Sequence, residues 1–472
     1  MRHPGVNPYL PLWEYVPDGE PHVFGDRVYL YGSHDRFNGY NFCLNDYVGW
    51  SAPVTDLSDW RYEGVLYRRT QDPRNADGRQ CLYAPDVARG PDGRYYLYYA
   101  LDGTSMISVA VCDTPAGAYE YYGDVAYPDG TPLGARAGDE HQFDPGVLAE
   151  GDGAWLYSGF CPPMMPGRTG ARVVRLAADM RTVVSDPVTV VPGAQTARGT
   201  GFEGHAFFEA SSIRKVNGRY YFIYSSELSH ELCYATADAP TGPFAYGGTL
   251  VSNADLGLTD HVRYFTGNNH GSIEQIDGRW YVFYHRHTNA TSYSRQGCLE
   301  PITIRPDGSI PQVAITSCGP NGGPLPAGEY PAAIACNLYL TKPPVVNAEA
   351  GQNPFPHITQ DAPDAADPTQ GRDSSYIATL TEGVVVGYKY FDCRGVTALA
   401  VKARGMCYGA KLEVRLDDPE GEPVGSVPVA ASNEWSWNHA ELPIPDGVHA
   451  LYLKAAGFGV YSLAAIRLET AE

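Results

Sequence analysis

Polar turn signals followed by aromatic and β-branched runs return five times through the first three hundred residues. The copies are Asp26-Arg27-Val28-Tyr29-Leu30-Tyr31, Asp92-Gly93-Arg94-Tyr95-Tyr96-Leu97-Tyr98 and Asp152-Gly153-Ala154-Trp155-Leu156-Tyr157. Asn217-Gly218-Arg219-Tyr220-Tyr221-Phe222-Ile223-Tyr224 and Asp277-Gly278-Arg279-Trp280-Tyr281-Val282-Phe283-Tyr284 complete the set, at intervals of 66, 60, 65 and 60 residues. An Asp-Gly or Asn-Gly turn before such a run predicts a tight hairpin feeding a buried strand. A period near 60 residues accommodates a four-stranded sheet with one long loop, which is a propeller blade. Five copies predict five blades.

The repeat stops near residue 315, and Pro306-Asp307-Gly308-Ser309-Ile310 reads as the strand that closes the ring. A Gly/Pro-dense connector follows at 319–327. Beyond it, Gly383–Phe391, Ala398–Ala403, Lys411–Leu416 and Val448–Lys454 alternate apolar with polar residues. Short strands at this spacing predict a β-sandwich. The expected fold is all-β: a five-bladed propeller over 1–318, then a jelly-roll sandwich over 328–472.

Composition narrows the partners. Hydrophobic residues make up 43% of the 472, enough for two real cores, and 35 tyrosines suit an all-β protein that handles sugars. A net charge of −20 argues against nucleic acid or an anionic membrane as partner. No apolar run approaches membrane-spanning length. The amino terminus has no secretory apolar core, and the ten cysteines form no Cys-x-x-Cys pair. A cytoplasmic protein with reduced thiols is the expectation.

A second regularity carries the chemistry. Before each repeated phrase stands one polar residue in a Pro- or Gly-flanked segment: Asp18, Asp86, Asp144, Glu209 and His270, at offsets of 8, 6, 8, 8 and 7 residues. If the phrase is the second strand of a blade, that segment is the innermost one, lining the central channel. Four acids and a histidine around one axis are costly to bury unpaired, which points to a site. The plainer alternative is that Asp and Pro merely begin strands.

These segments also resemble glycoside hydrolase family 43, the five-bladed inverting glycosidases. The resemblance rests on Pro17-Asp18-Gly19-Glu20-Pro21 with Tyr31-Gly32-Ser33-His34-Asp35, on Tyr83-Ala84-Pro85-Asp86-Val87, and on Phe208-Glu209-Ala210-Ser211-Ser212-Ile213. Asn269-His270-Gly271-Ser272 and Arg295-Gln296-Gly297 complete it. One departure is that Gly19-Glu20 separate the first acid from its proline, so Asp18 or Glu20 is the base; Asp18 keeps register with the other blades. The tail more loosely resembles carbohydrate-binding modules of the family-6 type, through Leu412–Gly421 and the Trp435-Ser436-Trp437 pair.

Inverting hydrolysis needs one carboxylate to activate water and one carboxylic acid to protonate the leaving oxygen, across a gap of ~6.5–9.5 Å. Asp18 is the expected base and Glu209 the expected acid. The resemblance implies that Asp86 is a third carboxylate holding up the pKa of the acid, while Asp144 reads as structural. Arg295 is expected on substrate hydroxyls or a carboxylate. His270 is expected in the channel, as a hydrogen-bonding residue or a ligand of a structural calcium; no cofactor is required. Trp13, Phe37 and Tyr83 are candidates for stacking on a sugar ring. Segments 36–60 and 194–205 are expected to narrow the mouth into a pocket. The implied substrate is an oligosaccharide losing terminal α-L-arabinofuranosyl or β-D-xylosyl units. The alternatives are galactan or galactofuranosides, or a sugar-binding propeller without catalysis. The tail either binds sugar through Trp435 or Trp437, or braces the propeller.

Overall fold

A computed structural model describes residues 5–341, 355–365 and 367–471. Five antiparallel sheets succeed one another along the chain, each running in sequence order from its first strand outward. Blade one comprises Glu20–Phe24, Arg27–Tyr31, Tyr47–Pro53 and Arg61–Tyr67; blade two comprises Asp86–Arg89, Tyr95–Ala100, Ile107–Cys112 and Glu120–Asp124. Blade three comprises Gly146–Glu150, Gly153–Ser158, Gly170–Leu176 and Val188–Pro192, and blade four Phe207–Val216, Arg219–Ser226, Glu231–Ala237 and Ala245–Ser252. Blade five has three strands, Ser272–Ile276, Arg279–His287 and Arg295–Ile302. Each repeated phrase is thus the second strand of a blade. Its large side chains fill the spaces between sheets, as Tyr98 and Val109 of blade two do against Leu156 and Val174 of blade three.

The ring closes differently from the sequence expectation. Arg305 to Ser309 forms a tight turn (Arg305 N–H to Ser309 O, 2.9 Å) that leans on blade four. There the Tyr221 hydroxyl donates to Gly308 O and the Ile310 N–H donates to the Tyr234 hydroxyl. The amino-terminal segment takes the outer place on blade five instead. Asn7 donates through Nδ2 to Leu299 O at 2.9 Å and accepts the Leu299 N–H at 3.0 Å, and Tyr9 N–H reaches Gly297 O. A buried cluster of Tyr9, Leu10, Val28, Leu30, Phe283 and Leu299 then seals blade one against blade five.

The C-terminal domain is one nine-stranded antiparallel system built on two very long strands, Val396–Leu416 and Val448–Thr470. The sequence presents 398–403 and 411–416 as separate strands; they are the two ends of one strand. Gly405 and Gly409, both at positive φ, let it bend without a break. The connector packs rather than dangles: Leu325 is fully buried and its N–H bonds to Tyr390 O. One continuous apolar core unites Ile223 and Leu250 of blade four, Val282 of blade five, and Ile334, Val386 and Leu453 of the C-terminal domain. No helix among the described residues is long and apolar enough to cross a membrane.

Candidate active site

Strand pairing fixes how deep each channel residue lies. Glu20 stands opposite Tyr31, Asp86 opposite Tyr98, Gly146 opposite Tyr157, Ser212 opposite Ile223 and Ser272 opposite Phe283. These five positions form one layer across the axis. Side chains on one face of a strand recur every second residue, so the layer above holds Asp18, Ala84, Asp144, Ala210 and His270. Above that layer opens a cavity of about 690 Å³, lined among others by Asp18, Ala84, Asp144, Glu209, His270 and Arg295. Its size lies within the ~300–1,000 Å³ usual for small-molecule sites.

The backbone is bent to present the acids. Asp18 (φ 57°), Asp144 (φ 45°) and Ala210 (φ 69°) all lie in the left-handed region, which costs a non-glycine residue about 1 kcal/mol. Register shifts on both sides of Glu209 set it on a bulge that turns its side chain toward the cavity. Gly32 keeps the first turn tight: a Cβ there would sit 2.4 Å from Pro17 O.

Electrostatics separate the three carboxyls. Burial alone would raise Asp18, but Arg295 Nη1 at 2.8 Å, His285 Nδ1 at 3.2 Å and His270 Nδ1 at 3.8 Å outweigh it. They hold the Asp18 carboxyl well below the usual range. Arg295 is itself fixed by a two-pronged pair with buried Asp35 (Nε–Oδ2 2.9 Å, Nη2–Oδ1 3.0 Å). Glu209 is pushed up to about 7, by burial first and then by the charge of Asp18. Asp144 is raised well above the usual range by burial and then by Glu209, although the Ala210 N–H donates to its Oδ2 at 3.0 Å. Burial lowers His270 to about 4, so its imidazole is neutral near pH 7.

A model of glycosyl hydrolases family 43 matches residues 15–310. A xylosidase/arabinosidase of Thermoclostridium stercorarium is 57% identical over 479 residues, covering 100% of both chains. The chain belongs to glycosyl hydrolases family 43. Among solved structures, a β-xylosidase/α-arabinofuranosidase from a compost metagenome, in complex with xylotriose, is 25% identical (TM-score 0.52) over 66% of this chain and 97% of its own. An arabinoxylan arabinofuranohydrolase of Bacillus subtilis shares the fold over 98% of this chain and 97% of its own, at 22% identity and TM-score 0.53.

Within this glycoside hydrolase several sequence expectations move. Asp86 is not on the cavity wall. It lies one layer deeper, level with Glu20, accepting from Val87 N–H and Val147 N–H (both 2.7 Å) and bonded to His22 Nε2 at 2.7 Å. Asp144, read from the sequence as structural, is the third carboxylate at the cavity. Trp13 is not on the rim; its Nε1 donates to Pro368 O of the C-terminal domain. Phe37 stacks on Tyr15 at 5.6 Å, away from the cavity. Tyr83 does line it, joined by Phe42, Phe143, Phe160 and Phe208. Segment 194–205 does not line the cavity; Phe202 is buried in the core of blades three and four. Segment 36–60 lies inside blade one and contributes Phe42.

The sequence reading omitted Asp35, His285 and Asn268. Asn268 hydrogen-bonds Glu209, and its Oδ1 lies 2.9 Å from His287 Nε2. Among the described residues the donor sets close enough to enclose an ion are His205–Glu231–Cys233 and Glu20–His22–Asp86, and His270 is in neither.

Proposed function

We propose that this hydrolase releases terminal α-L-arabinofuranosyl or β-D-xylosyl units from oligosaccharides with inversion at the anomeric carbon. The observation that carries the reading is the pair of opposed carboxyl environments in one cavity, Asp18 held ionised and Glu209 held protonated to about pH 7. Asp18 takes a proton from a water as that water's oxygen attacks the anomeric carbon. Glu209 gives its proton to the glycosidic oxygen as the bond to that carbon breaks. Burial and the charge of Asp18 keep the proton on Glu209, and Asp144 beside it is raised in turn by burial and by Glu209. Arg295, clamped by Asp35, orients Asp18 and offers N–H donors to sugar hydroxyls. Tyr83 and the phenylalanines of the wall supply faces for stacking on rings.

The xylosidase/arabinosidase relative that matches end to end supports the two sugars named. The ten free cysteines support an enzyme of a reducing compartment acting on imported oligosaccharides. The test is release of 4-nitrophenol from the α-L-arabinofuranoside, β-D-xyloside and β-D-galactofuranoside conjugates, with proton NMR of the first sugar formed. Turnover of either of the first two with an inverted product, abolished in Glu209→Ala, is expected. A retained configuration, or a preference for the galactofuranoside, overturns the reading.

A further inference from the structure

We infer that, with Glu209 as the acid, His287 is a positioning residue that directs the acid's proton by fixing the side-chain amide of Asn268. His287 ends the second strand of blade five, Arg279–His287, two residues beyond His285 and so on the same face. His285 turns to Asp18, with Nδ1 at 3.2 Å from Oδ1. His287 turns to Asn268 instead, with Nε2 at 2.9 Å from Oδ1. Asn268 is on the cavity wall and hydrogen-bonds Glu209, whereas His287 is 3% exposed and not on that wall.

The imidazole proton decides which way the amide faces. Burial first, then His285 and Arg295, hold His287 well below the usual range, so its ring is neutral and carries one proton. Its Nδ1 is buried and has no hydrogen-bond partner among the described residues. The proton therefore gains an acceptor only on Nε2, which donates to Asn268 Oδ1. With Oδ1 taken, Nδ2 is the atom left for Glu209. The bond from Asn268 lowers the Glu209 pKa, as a donor to a carboxylate does. Both partners are held from elsewhere. The Asn268 carbonyl meets His285 Nε2 at 2.8 Å and accepts from Asn253 Nδ2 at 3.2 Å. Gly267 lies against the His287 ring, where a Cβ would collide with it, and Phe265 packs at 5.1 Å.

An acid in this position must keep its hydroxyl for the glycosidic oxygen. An N–H from Asn268 on one carboxyl oxygen leaves the proton to the other. As the Glu209 O–H bond breaks and the leaving oxygen takes the proton, the same N–H stabilises the carboxylate that forms. A turned amide would present Oδ1 to Glu209, accept its proton in a hydrogen bond and withhold it from the leaving group. It would also set an N–H against the Nε2–H of His287, and that conflict keeps the amide in place. The charged groups acting on Glu209 are Asp18 and Arg295, with Asp144 beside it, and those acting on His287 are His285, Arg295 and Asp18. A neutral replacement at 287 leaves all of them where they are.

The experiment compares phenyl and 2,4-dinitrophenyl glycosides of whichever of the two sugars the wild type prefers. Dinitrophenolate leaves without a proton, so only the phenyl glycoside depends on the acid. His287→Phe keeps a ring and removes the donor. In it, kcat on the phenyl glycoside should fall about 10-fold or more with KM little changed, and kcat on the dinitrophenyl glycoside about 2-fold or less. The alkaline limb should move above about 7, because Glu209 loses a donor to its carboxylate. His287→Gln, whose amide can donate to Asn268 Oδ1, should restore both the rate and the limb. Asn268→Ala should repeat the pattern of His287→Phe, which keeps the test decisive if His287→Phe does not fold. Equal losses on the two glycosides overturn the proposal. So does an alkaline limb that stays put or moves to lower pH, or a His287→Gln protein no better than His287→Phe. Glu209→Ala is the control: a loss confined to the phenyl glycoside upholds the acid, and equal losses there remove the acid assignment and the proposal with it.

Discussion

Asp18 is buried and Glu209 half-buried, yet their neighbours drive them in opposite directions. A guanidinium and two imidazoles face Asp18, while Glu209 has burial and the negative charge of Asp18 against it. Asp144 and Glu209 repel each other, and burial raises both, so the pair is reluctant to release its last proton. The sign for activity follows. The acid must be protonated, so kcat/KM should hold through mildly acidic pH and decline as pH rises through about 7. Burial and Glu209 hold Asp144 protonated where Glu209 titrates, so Asp144→Asn should leave the alkaline limb near 7, measured on aryl glycosides. An alkaline limb that moves to lower pH would show that Asp144 is ionised there and supports Glu209 by its charge.

The sequence made these acids visible because their spacing from the repeated phrase is nearly constant. It also held the clue to the exception: Asp86 stands 6 residues before its phrase, where Asp18, Asp144 and Glu209 stand 8. Two residues along a strand is one step of depth, and that step carries Asp86 out of the cavity. Asp35 was not legible as a partner of Arg295, because the two lie 260 residues apart and meet only when blade five closes on blade one.

At the scale of strands and turns, the acids are aimed by backbone shape rather than by side-chain choice alone. The bulge around Glu209 and the left-handed turns at Asp18 and Asp144 are conformations that hydrophobic periodicity does not encode. The five second strands were legible because turn chemistry and alternation agree there. The closing element was not, because Asn7 and Tyr9 form an irregular segment with no alternating pattern. Gly32 tests how much the turn matters. Its missing Cβ lets Pro17 O approach, and a methyl at 2.4 Å from that oxygen must push the Pro17-Asp18 turn aside. Gly32→Ala should therefore lower kcat/KM by roughly 10- to 100-fold, since misplacement on the order of 1 Å costs that much in an oriented site. Circular dichroism should remain that of the wild type. Wild-type kinetics in a folded Gly32→Ala protein would show that the turn tolerates the shift.

Across the whole molecule, the C-terminal domain is built into the propeller and holds segments that reach the cavity. Asp364 Oδ1 accepts the Phe37 N–H at 3.0 Å, and Gln360 Oε1 accepts the Tyr15 hydroxyl at 2.7 Å. Asn289 N–H donates to Ile358 O, and Arg286 donates to the carbonyls of Ala333 and Ala335. The loops so held carry Phe42, Ser292 and Arg295 to the cavity. The tryptophans that marked the domain as a sugar binder each have an arginine over the ring, Arg404 on Trp435 at 4.2 Å and Arg467 on Trp437 at 4.4 Å. One face of each is thereby taken, which favours the bracing role. A shared core makes the two parts one cooperative unit. Calorimetry of the full chain should then give a single transition, and a chain ended at residue 326 should aggregate because it bares the faces that cover Ile334, Val386 and Leu453. Two separated transitions, or a soluble propeller with the kcat/KM of the full chain, would mean that the domains fold independently and that the brace is dispensable.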